Sequence, residues 1–227
     1  MIKRLFKELL DFIIPQLCIS CGSPVEENQG FLCRNCAGKL VRFDAQHPWR
    51  NNFISMGYIN NSLSLYRFVK DTPIQHLLHS MKYEKMKSIG IVLGNEIARI
   101  IPLAIKFDIV TPVPLHTAKE RERTYNQSEF ISRGIMEIKQ IPVLPKLLSR
   151  NRFTKSQTKM DKFERIENVR GAFEINPKYQ EFISGKNVIL VDDVITTGST
   201  ILECARVLKE NKAGYVLVCS AAYDALD

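Results

Sequence analysis

The sequence has no apolar run long enough to cross a lipid bilayer, and this absence predicts that the chain has no transmembrane segment. It has no Gly-x-Ser-x-Gly elbow, which argues against a hydrolase built on a nucleophilic serine. Repeats and low-complexity tracts are also missing, which argues against solenoid architectures. The first residues lack the continuous apolar core of a secretory signal, so we expect a cytoplasmic protein in a reducing environment.

Acidic residues are fewer than basic ones. The chain of 227 residues has 32 Lys and Arg against 24 Asp and Glu, which gives a net charge of +8. Three interpretations fit this excess: attraction to nucleic acid, a site for a substrate with several phosphates, and a lysine-rich solvated surface. The hydrophobic fraction of 45% is ordinary for a soluble globular protein, so composition leaves all three open.

A segment near the C-terminus indicates a class of ligand. The apolar run Val188 to Val191 is typical of a strand that is covered on both faces, as in a parallel α/β sheet. Asp192 and Asp193 follow at the carboxyl end of that strand, which is where open α/β sheets bind ligands. A hydroxyl-rich turn comes next and leads into a helical pattern; its residues are Thr196, Thr197, Gly198, Ser199 and Thr200.

This strand, turn and helix are suited to holding a sugar and a phosphate. The two carboxylates can accept hydrogen bonds from ribose hydroxyls, and they can hold Mg²⁺ together with substrate phosphates. Gly198 can take a positive φ or let a ligand approach the backbone, and the positive end of the next helix favours a phosphate. The alternative interpretation is a plain buried strand followed by a capped helix. It accounts for Ser199 or Thr200 as the capping residue, but it does not explain the adjacent pair of carboxylates.

Four of the six cysteines form two Cys-x-x-Cys pairs, Cys18 with Cys21 and Cys33 with Cys36. Eleven residues separate the pairs, and this pattern predicts a small, tight Zn²⁺ site with four thiolate ligands. A disulfide framework is the alternative, and a reducing compartment favours the metal. A site with four protein ligands has no open coordination position, so its expected role is structural.

The chain divides into two predicted parts. Residues 1–50 hold an amphipathic helix over Met1 to Ile14 and the zinc module, and a linker is expected at His47 to Asn52. The helix is expected to pack on the protein; the alternative is a helix on a membrane surface, because its polar face is basic. Residues 51–227 alternate between strand and helix patterns, which predicts an α/β domain with a mostly parallel sheet flanked by helices.

The elements of the second part are predicted from periodicity and turn signals. Two short strands are expected within 58–68, on either side of a turn at Asn60-Asn61. Further strands are expected at 107–113, 143–148, 188–191 and 215–221, and helices at 72–81, 89–101 and 124–139.

The chain resembles the type I phosphoribosyltransferases, because the residues from Val191 to Thr200 look like the motif that binds phosphoribosyl pyrophosphate (PRPP) in that superfamily. Nearly the whole chain resembles one family within it, the ComF family (ComFC, or amidophosphoribosyltransferase-like). The cysteine pairs are followed by Met81-Lys82-Tyr83, by Pro112-Val113-Pro114-Leu115 and by Arg123-x-Tyr125-Asn126-Gln127. The family usually has Arg-Gly-Phe-Asn-Gln in the last motif, and this chain has Thr124 in place of the glycine.

The resemblance implies a role for each group of residues. Asp192 and Asp193 contact the ribose and Mg²⁺, and residues 196–200 bind the 5′-phosphate. The pyrophosphate side lies after an earlier strand and is formed by Val113, Pro114, Arg121, Arg123, Asn126 and Gln127. A mobile lid over PRPP includes Arg150, Gln157 and Arg165. A solvated basic loop and a plain surface helix are the alternatives for the last two groups.

Two hypotheses for function remain open. In the first, the resemblance implies an enzyme, a glycosyltransferase that binds Mg²⁺·PRPP and transfers its phosphoribosyl group to an unknown acceptor. No part of the chain is a candidate glutaminase domain, which argues against the amidophosphoribosyltransferase reaction itself. In the second, the link of the ComF family to natural competence implies a non-catalytic component of DNA uptake. Its partners would be single-stranded DNA and a competence helicase or membrane channel protein.

Overall fold

The computed structural model describes residues 16–26, 30–43, 54–84, 86–115, 124–151 and 169–224. Its central sheet consists of β1 (Asn61–Arg67), β2 (Ile109–Pro112), β5 (Val188–Ile195) and β6 (Val216–Tyr223). The strands stand in the order β1-β6-β5-β2, and each neighbouring pair is parallel. A second, antiparallel sheet pairs β3 (Leu148–Arg150) with β4 (Phe173–Ile175).

Helices cover both faces of the central sheet. The α-helices with fully described bounds are α1 (Arg34–Gly38), α2 (Pro73–Tyr83), α3 (Lys87–Ile100), α4 (Gln127–Lys139) and α5 (Ser199–Glu210). A 3₁₀ turn lies at Pro177–Tyr179. In the part of the chain that the structure describes, no helix is both long and apolar enough to span a membrane.

The alternation of side chains along β5 divides the core into two layers. Ile189 and Val191 belong to a cluster formed with α2, α3 and α4, whereas Val188 and Leu190 belong to a cluster formed with α5, β3 and β4. All four are completely buried, as expected for a strand covered on both faces. The predicted α/β fold, with a mostly parallel sheet flanked by helices, is therefore confirmed.

Two predictions of local structure are wrong. A single strand, β1, replaces the two strands expected around Asn60-Asn61, because Asn60 makes both a backbone and a side-chain hydrogen bond to Val216 and so extends the pairing with β6. The strand expected at 143–148 is also absent: Val143 makes only an isolated parallel bridge to Val110, and β3 begins at Leu148. Pro145 lacks the N–H that a continuous ladder requires.

The segment with the cysteine pairs packs on the helical layer. Cys18, Leu32 and Cys36 share one core cluster with Leu77 of α2. The hydroxyl of Ser20 lies 3.0 Å from the Nδ1 atom of His76, which forms a polar link between this segment and α2. The predicted helix at 1–14 and linker at 47–52 lie outside the described residues, so the division at residue 50 stays a prediction.

Candidate functional site

The carboxylate pair lies in the second half of β5, which continues through Asp192 and Asp193 to Ile195, whereas the sequence predicted a strand that ends at Val191. The two carboxylates contact different helices of the same layer, α4 and α2. Asp192 accepts a hydrogen bond from the Ser128 hydroxyl of α4 at 3.1 Å, whereas Asp193 lies 2.7 Å from the Lys82 ammonium of α2. The strand end is therefore held between the C-terminus of α2 and the N-terminus of α4.

The environment of Asp192 favours its neutral form. Burial and the adjacent Asp193 carboxylate raise the pKa of Asp192 from its ordinary value of 3.8 to about 7. The Asp193 N–H, at 2.9 Å, and the Ser128 hydroxyl both donate to Oδ1 of Asp192, and they partly oppose this rise in pKa together with the Lys82 charge. A bound cation or a hydrogen-bond donor of a ligand would act in the same direction as these opposing contacts and would lower the pKa of Asp192.

Asp193 is half-buried and ionically paired. Its Oδ1 atom accepts a hydrogen bond from the Val194 N–H at 2.8 Å, and its Oδ2 atom faces Lys82. The side chains of Lys82 and Asp193 are only 22% and 15% exposed, so solvent screens this ion pair less than it would a surface pair. The two carboxylates thus have different partners and different environments.

The hydroxyl-rich turn forms a hollow next to Asp192. The hollow has a volume of about 90 Å³, and Asp192 borders it together with residues 194–201. Gly198 adopts φ of 76° and caps α5, its carbonyl accepting the Leu202 N–H at 2.9 Å. Such a left-handed conformation is the reason for glycine at this position. The N–H groups in the first turn of α5 have no partner within the helix, which favours an anion beside them.

The loop after β2 lies close to the same strand end. Val113 donates its N–H to the carbonyl of Val191 at 2.8 Å, which continues the β2–β5 pairing. Asn126 holds this loop to α4: its amide N–H donates to the Val113 carbonyl at 2.9 Å, and its Oδ1 accepts the Ser128 N–H at 3.1 Å. In this geometry the side chain of Asn126 caps a helix and fixes a loop, while Pro114 is buried beside it.

Thr124 adopts φ of 67°, a left-handed conformation in which a β-branched residue is strained. This is the position at which the ComF motif usually has glycine. The next residue, Tyr125, is buried, and its hydroxyl donates to the Met81 carbonyl near the end of α2.

Of the remaining residues that the sequence assigned to the pyrophosphate side and the lid, two lie in the described part of the chain and four lie outside it. Gln127 is almost completely buried at the start of α4. Arg150 ends β3, and its guanidinium lies 5.1 Å from the centre of the Phe173 ring. Burial lowers the pKa of Arg150, while the negative charge of nearby Asp192 acts to raise it. The other predicted residues lie outside the described part of the chain: Arg121, Arg123, Gln157 and Arg165.

Four cysteine thiols converge in the segment that packs on α2. The Sγ atoms of Cys18, Cys21, Cys33 and Cys36 all lie within 4.8 Å of one another. A tetrahedral Zn²⁺ with Zn–S bonds of about 2.3 Å would place its sulfurs about 3.8 Å apart, and the Sγ atoms of Cys21 and Cys33 are 3.7 Å apart. The geometry therefore fits a metal ion such as zinc.

The local backbone of this cluster is a tight knuckle. Gly22 adopts φ of 73° and donates its N–H to the Cys18 carbonyl at 2.9 Å. Hydrogen bonds with Ser23 lower the pKa of Cys21 to about 6, whereas burial raises the pKa of Cys36 to about 12. A bound cation would offset the desolvation of the buried thiolate.

Sequence reasoning assigned no role to Lys82 and Ser128. Lys82 belongs to the quoted Met81-Lys82-Tyr83 motif, and this was the available signal for it. Ser128 follows directly after Asn126-Gln127, but nothing in its local pattern indicates a carboxylate partner that is 64 residues away. Both contacts arise only from the tertiary arrangement of α2, α4 and β5.

Comparison with known proteins agrees with this geometry. The family pattern described as "Phosphoribosyl transferase domain" matches residues 87–224, which include β2, α4, β5 and the hydroxyl-rich turn. The match therefore covers the strand end and the loop that form the hollow.

Curated relatives extend the similarity to the N-terminal segment. Competence protein F of Haemophilus influenzae is 26% identical over 223 residues, which cover 85% of this chain and 90% of that protein. The DNA utilization protein YhgH of Salmonella typhimurium is 26% identical over 208 residues, 89% of this chain and 82% of that protein. Competence protein ComFC of Bacillus subtilis is 25% identical over 203 residues, 86% of this chain and 78% of that protein. The chain therefore belongs to the phosphoribosyl transferase domain family and, within it, is a ComF-family protein of the type I phosphoribosyltransferase-like class.

Proposed function

We propose that this protein binds PRPP at the carboxyl end of β5. The observation that carries the proposal is the hollow that brings Asp192 together with the turn at 196–200 at the start of α5. Carboxylate oxygens can accept hydrogen bonds from the two ribose hydroxyls, and the N–H groups and hydroxyls of the turn can donate to the 5′-phosphate. One end of the hollow thus suits a sugar and the other suits an anion.

Mg²⁺ is the proposed partner of the ligand. Mg²⁺ in proteins commonly keeps one or two carboxylates and takes further oxygens from substrate phosphates and water. Asp192 and Asp193 fit this oxygen donor set, and the cation would offset the repulsion between the two carboxylates. When bound, Mg²⁺ would neutralise charge on the pyrophosphate leaving group.

If the protein is catalytic, its reaction is transfer of the phosphoribosyl group to an acceptor with release of pyrophosphate. The side chains described above would act by positioning and by stabilising charge. On the pyrophosphate side we propose Val113, Pro114, Asn126 and Gln127, with Arg121 and Arg123 as cationic donors. Arg150 lies close enough to Asp192 to interact with its charge, and we propose it for the edge of a lid with Gln157 and Arg165.

Zn²⁺ is the proposed occupant of the four-cysteine cluster. Its role is structural, because the four thiolates fill a tetrahedral coordination sphere. The short segment between residues 16 and 43 has little core of its own, and Cys18 and Cys36 are part of the larger cluster with α2. Metal binding would therefore stabilise the contact between this segment and α2.

Calorimetric titration with PRPP in the presence of Mg²⁺ tests the main proposal. We expect Asp192→Ala to abolish binding, because this carboxylate borders the hollow, with the far-UV circular dichroism unchanged. Glu181→Gln, at an exposed position, is the matched control and should bind as the unmodified protein does. Equal affinity in the Asp192→Ala variant would contradict the proposal. Release of pyrophosphate with candidate acceptors would then decide whether the bound PRPP is turned over.

The alternative function is non-catalytic binding of single-stranded DNA during DNA uptake. It is supported by the names of the relatives, which refer to competence and DNA utilization, and by the net charge of +8. Binding to a phosphate backbone must weaken steeply as the salt concentration rises, because counterions are released. A salt series with a labelled oligonucleotide tests this alternative, and no binding at low salt would eliminate it.

A further inference from the structure

The ion pair between Lys82 and Asp193 joins α2 to β5 at the candidate site. Lys82 is next to the last residue of α2, and Asp193 lies near the end of β5. Their charged atoms are 2.7 Å apart, and both side chains are mostly buried. Close charge pairs with little solvent around them affect binding more strongly than surface pairs do.

The end of α2 is also held in place by a second contact. The Tyr125 hydroxyl donates to the carbonyl of Met81, the residue directly before Lys82. Tyr125 itself is buried and packs edge-on against Phe130 of α4, with ring centres 5.2 Å apart. The Lys82 ammonium is therefore positioned at the carboxylates by packing, rather than by its own flexible chain alone.

Charge balance indicates what this lysine does. The two carboxylates can carry two negative charges, and Lys82 supplies one positive charge at Asp193. A divalent cation on the same carboxylate would compete with the ammonium. If the cation arrived alone, Lys82 would lose its partner in a half-buried position, which is costly. If the cation arrived with a diphosphate group, the phosphate oxygens would provide the ammonium with a new partner.

We propose that Lys82 is a positioning residue that makes the binding of a divalent cation depend on the diphosphate of the ligand. In the free protein its ammonium occupies the cation side of Asp193. When a cation–diphosphate ligand enters, the ammonium moves from the carboxylate to the phosphate oxygens. This inference rests on the proposed binding of Mg²⁺·PRPP and adds an ordered requirement: the cation alone binds weakly, and the cation with the diphosphate binds well.

The test compares Lys82→Met, Lys82→Arg and Lys178→Met by titration calorimetry with MgCl₂ alone and with MgCl₂ plus PRPP. Lys178 is an exposed lysine of the 3₁₀ turn, so its replacement controls for the loss of one positive charge. In Lys82→Met we expect Mg²⁺ alone to bind about three- to tenfold more tightly, because its competitor is gone. In the same variant we expect PRPP with Mg²⁺ to bind about tenfold or more weakly.

The opposite signs of these two changes distinguish the proposal from a structural role, which would weaken both kinds of binding. Lys82→Arg should restore most of the affinity for PRPP, and Lys178→Met should behave like the unmodified protein. Unchanged or weaker Mg²⁺ binding in Lys82→Met would overturn the inference. If the unmodified protein does not bind PRPP at all, the proposed function fails instead, and inorganic pyrophosphate with Mg²⁺ then tests Lys82 separately.

Discussion

Gly94 of α3 and Gly134 of α4 lie directly against each other's helix backbone. A Cβ atom on Gly94 would be 2.1 Å from the carbonyl oxygen of Ile131, and one on Gly134 would be 2.2 Å from that of Ile91. Neither oxygen can move without disturbing its helix. This close contact sets the position of α4, which presents Ser128 to Asp192, and so it links the core to the candidate site.

Replacing either glycine by alanine should therefore destabilise the protein. We expect Gly94→Ala or Gly134→Ala to lower the free energy of unfolding by about 3 kcal/mol, the upper end of the usual cost of overpacking. Urea denaturation measures this change. Gly38→Ala is the matched control, because nothing lies within 4 Å of its added Cβ. Equal stabilities of the Gly94 and Gly38 variants would contradict the close approach of α3 and α4.

The strained backbone of Thr124 predicts a stabilising substitution. Its φ of 67° costs a residue with a Cβ atom about 1–2 kcal/mol, a cost that glycine does not have. Part of this gain is offset by the greater freedom of glycine in the unfolded chain. We expect Thr124→Gly to raise the free energy of unfolding by about 0.5–1 kcal/mol, measured by urea denaturation. Thr124→Ala keeps the backbone strain, so its free energy of unfolding should rise less. A Thr124→Gly variant that is less stable than the unmodified protein would contradict the left-handed conformation at this position.

The raised pKa of Asp192 predicts a stability that depends on pH. Between the ordinary pKa of 3.8 and the folded-state value of about 7, the folded protein holds a proton that the unfolded chain has lost. The stabilisation from this proton is complete below the lower value and disappears as the pH rises through the higher one. Asp192→Asn mimics the protonated form. The stability of this variant relative to the unmodified protein should therefore increase as the pH rises over this range.

At about pH 8 we expect Asp192→Asn to raise the free energy of unfolding by at least about 1.4 kcal/mol, the equivalent of one pKa unit. Near pH 4 the two proteins should be equally stable. Urea denaturation across the pH range measures the difference. A gain that does not change with pH would show that the substitution acts through packing rather than through the charge.

The cysteine cluster predicts that metal content and stability are linked. Cys33→Ser should release bound zinc and lower the free energy of unfolding by several kcal/mol, because metal binding contributes directly to folding. Elemental analysis and thermal denaturation, with and without a chelator, give the two readouts. Cys219→Ala is the control, since this thiol is fully buried in β6 and is not one of the four converging thiols, so its replacement should keep the metal. Purified protein without zinc would reject the assignment.

The local pattern of the sequence was sufficient for the centre of the fold. The apolar run before Asp192 predicts a doubly covered strand, and its residues are in fact divided between two core layers. The short strands β3 and β4 were harder to predict, because three residues carry too little periodicity to distinguish a strand from a loop. The Asn60-Asn61 pair is typical of a hairpin turn, but Asn60 is hydrogen-bonded to Val216 and no turn forms there.

The candidate site was predictable where one continuous segment forms it. Asp192 and the turn at 196–200 are adjacent in sequence and lie together in the hollow. The partners of the carboxylates come from distant segments. Lys82 lies near the end of α2, and among the described elements two α-helices and three strands separate α2 from β5, so no local pattern reveals such pairing. The left-handed conformation of Thr124 was also hidden, because threonine gives no signal for a positive φ.

The position of β6 has a consequence for the synthesis of the protein. Although β6 occupies residues 216–223, it lies in the sheet between β1 and β5, and Ser64 is hydrogen-bonded to Ser220 across 156 residues. The central sheet therefore cannot close until residues 216–223 have been synthesised. Until then the edges of β1 and β5 stay open to wrong partners, so the nascent chain should depend on chaperones, and a premature stop codon before β6 should leave no folded remnant.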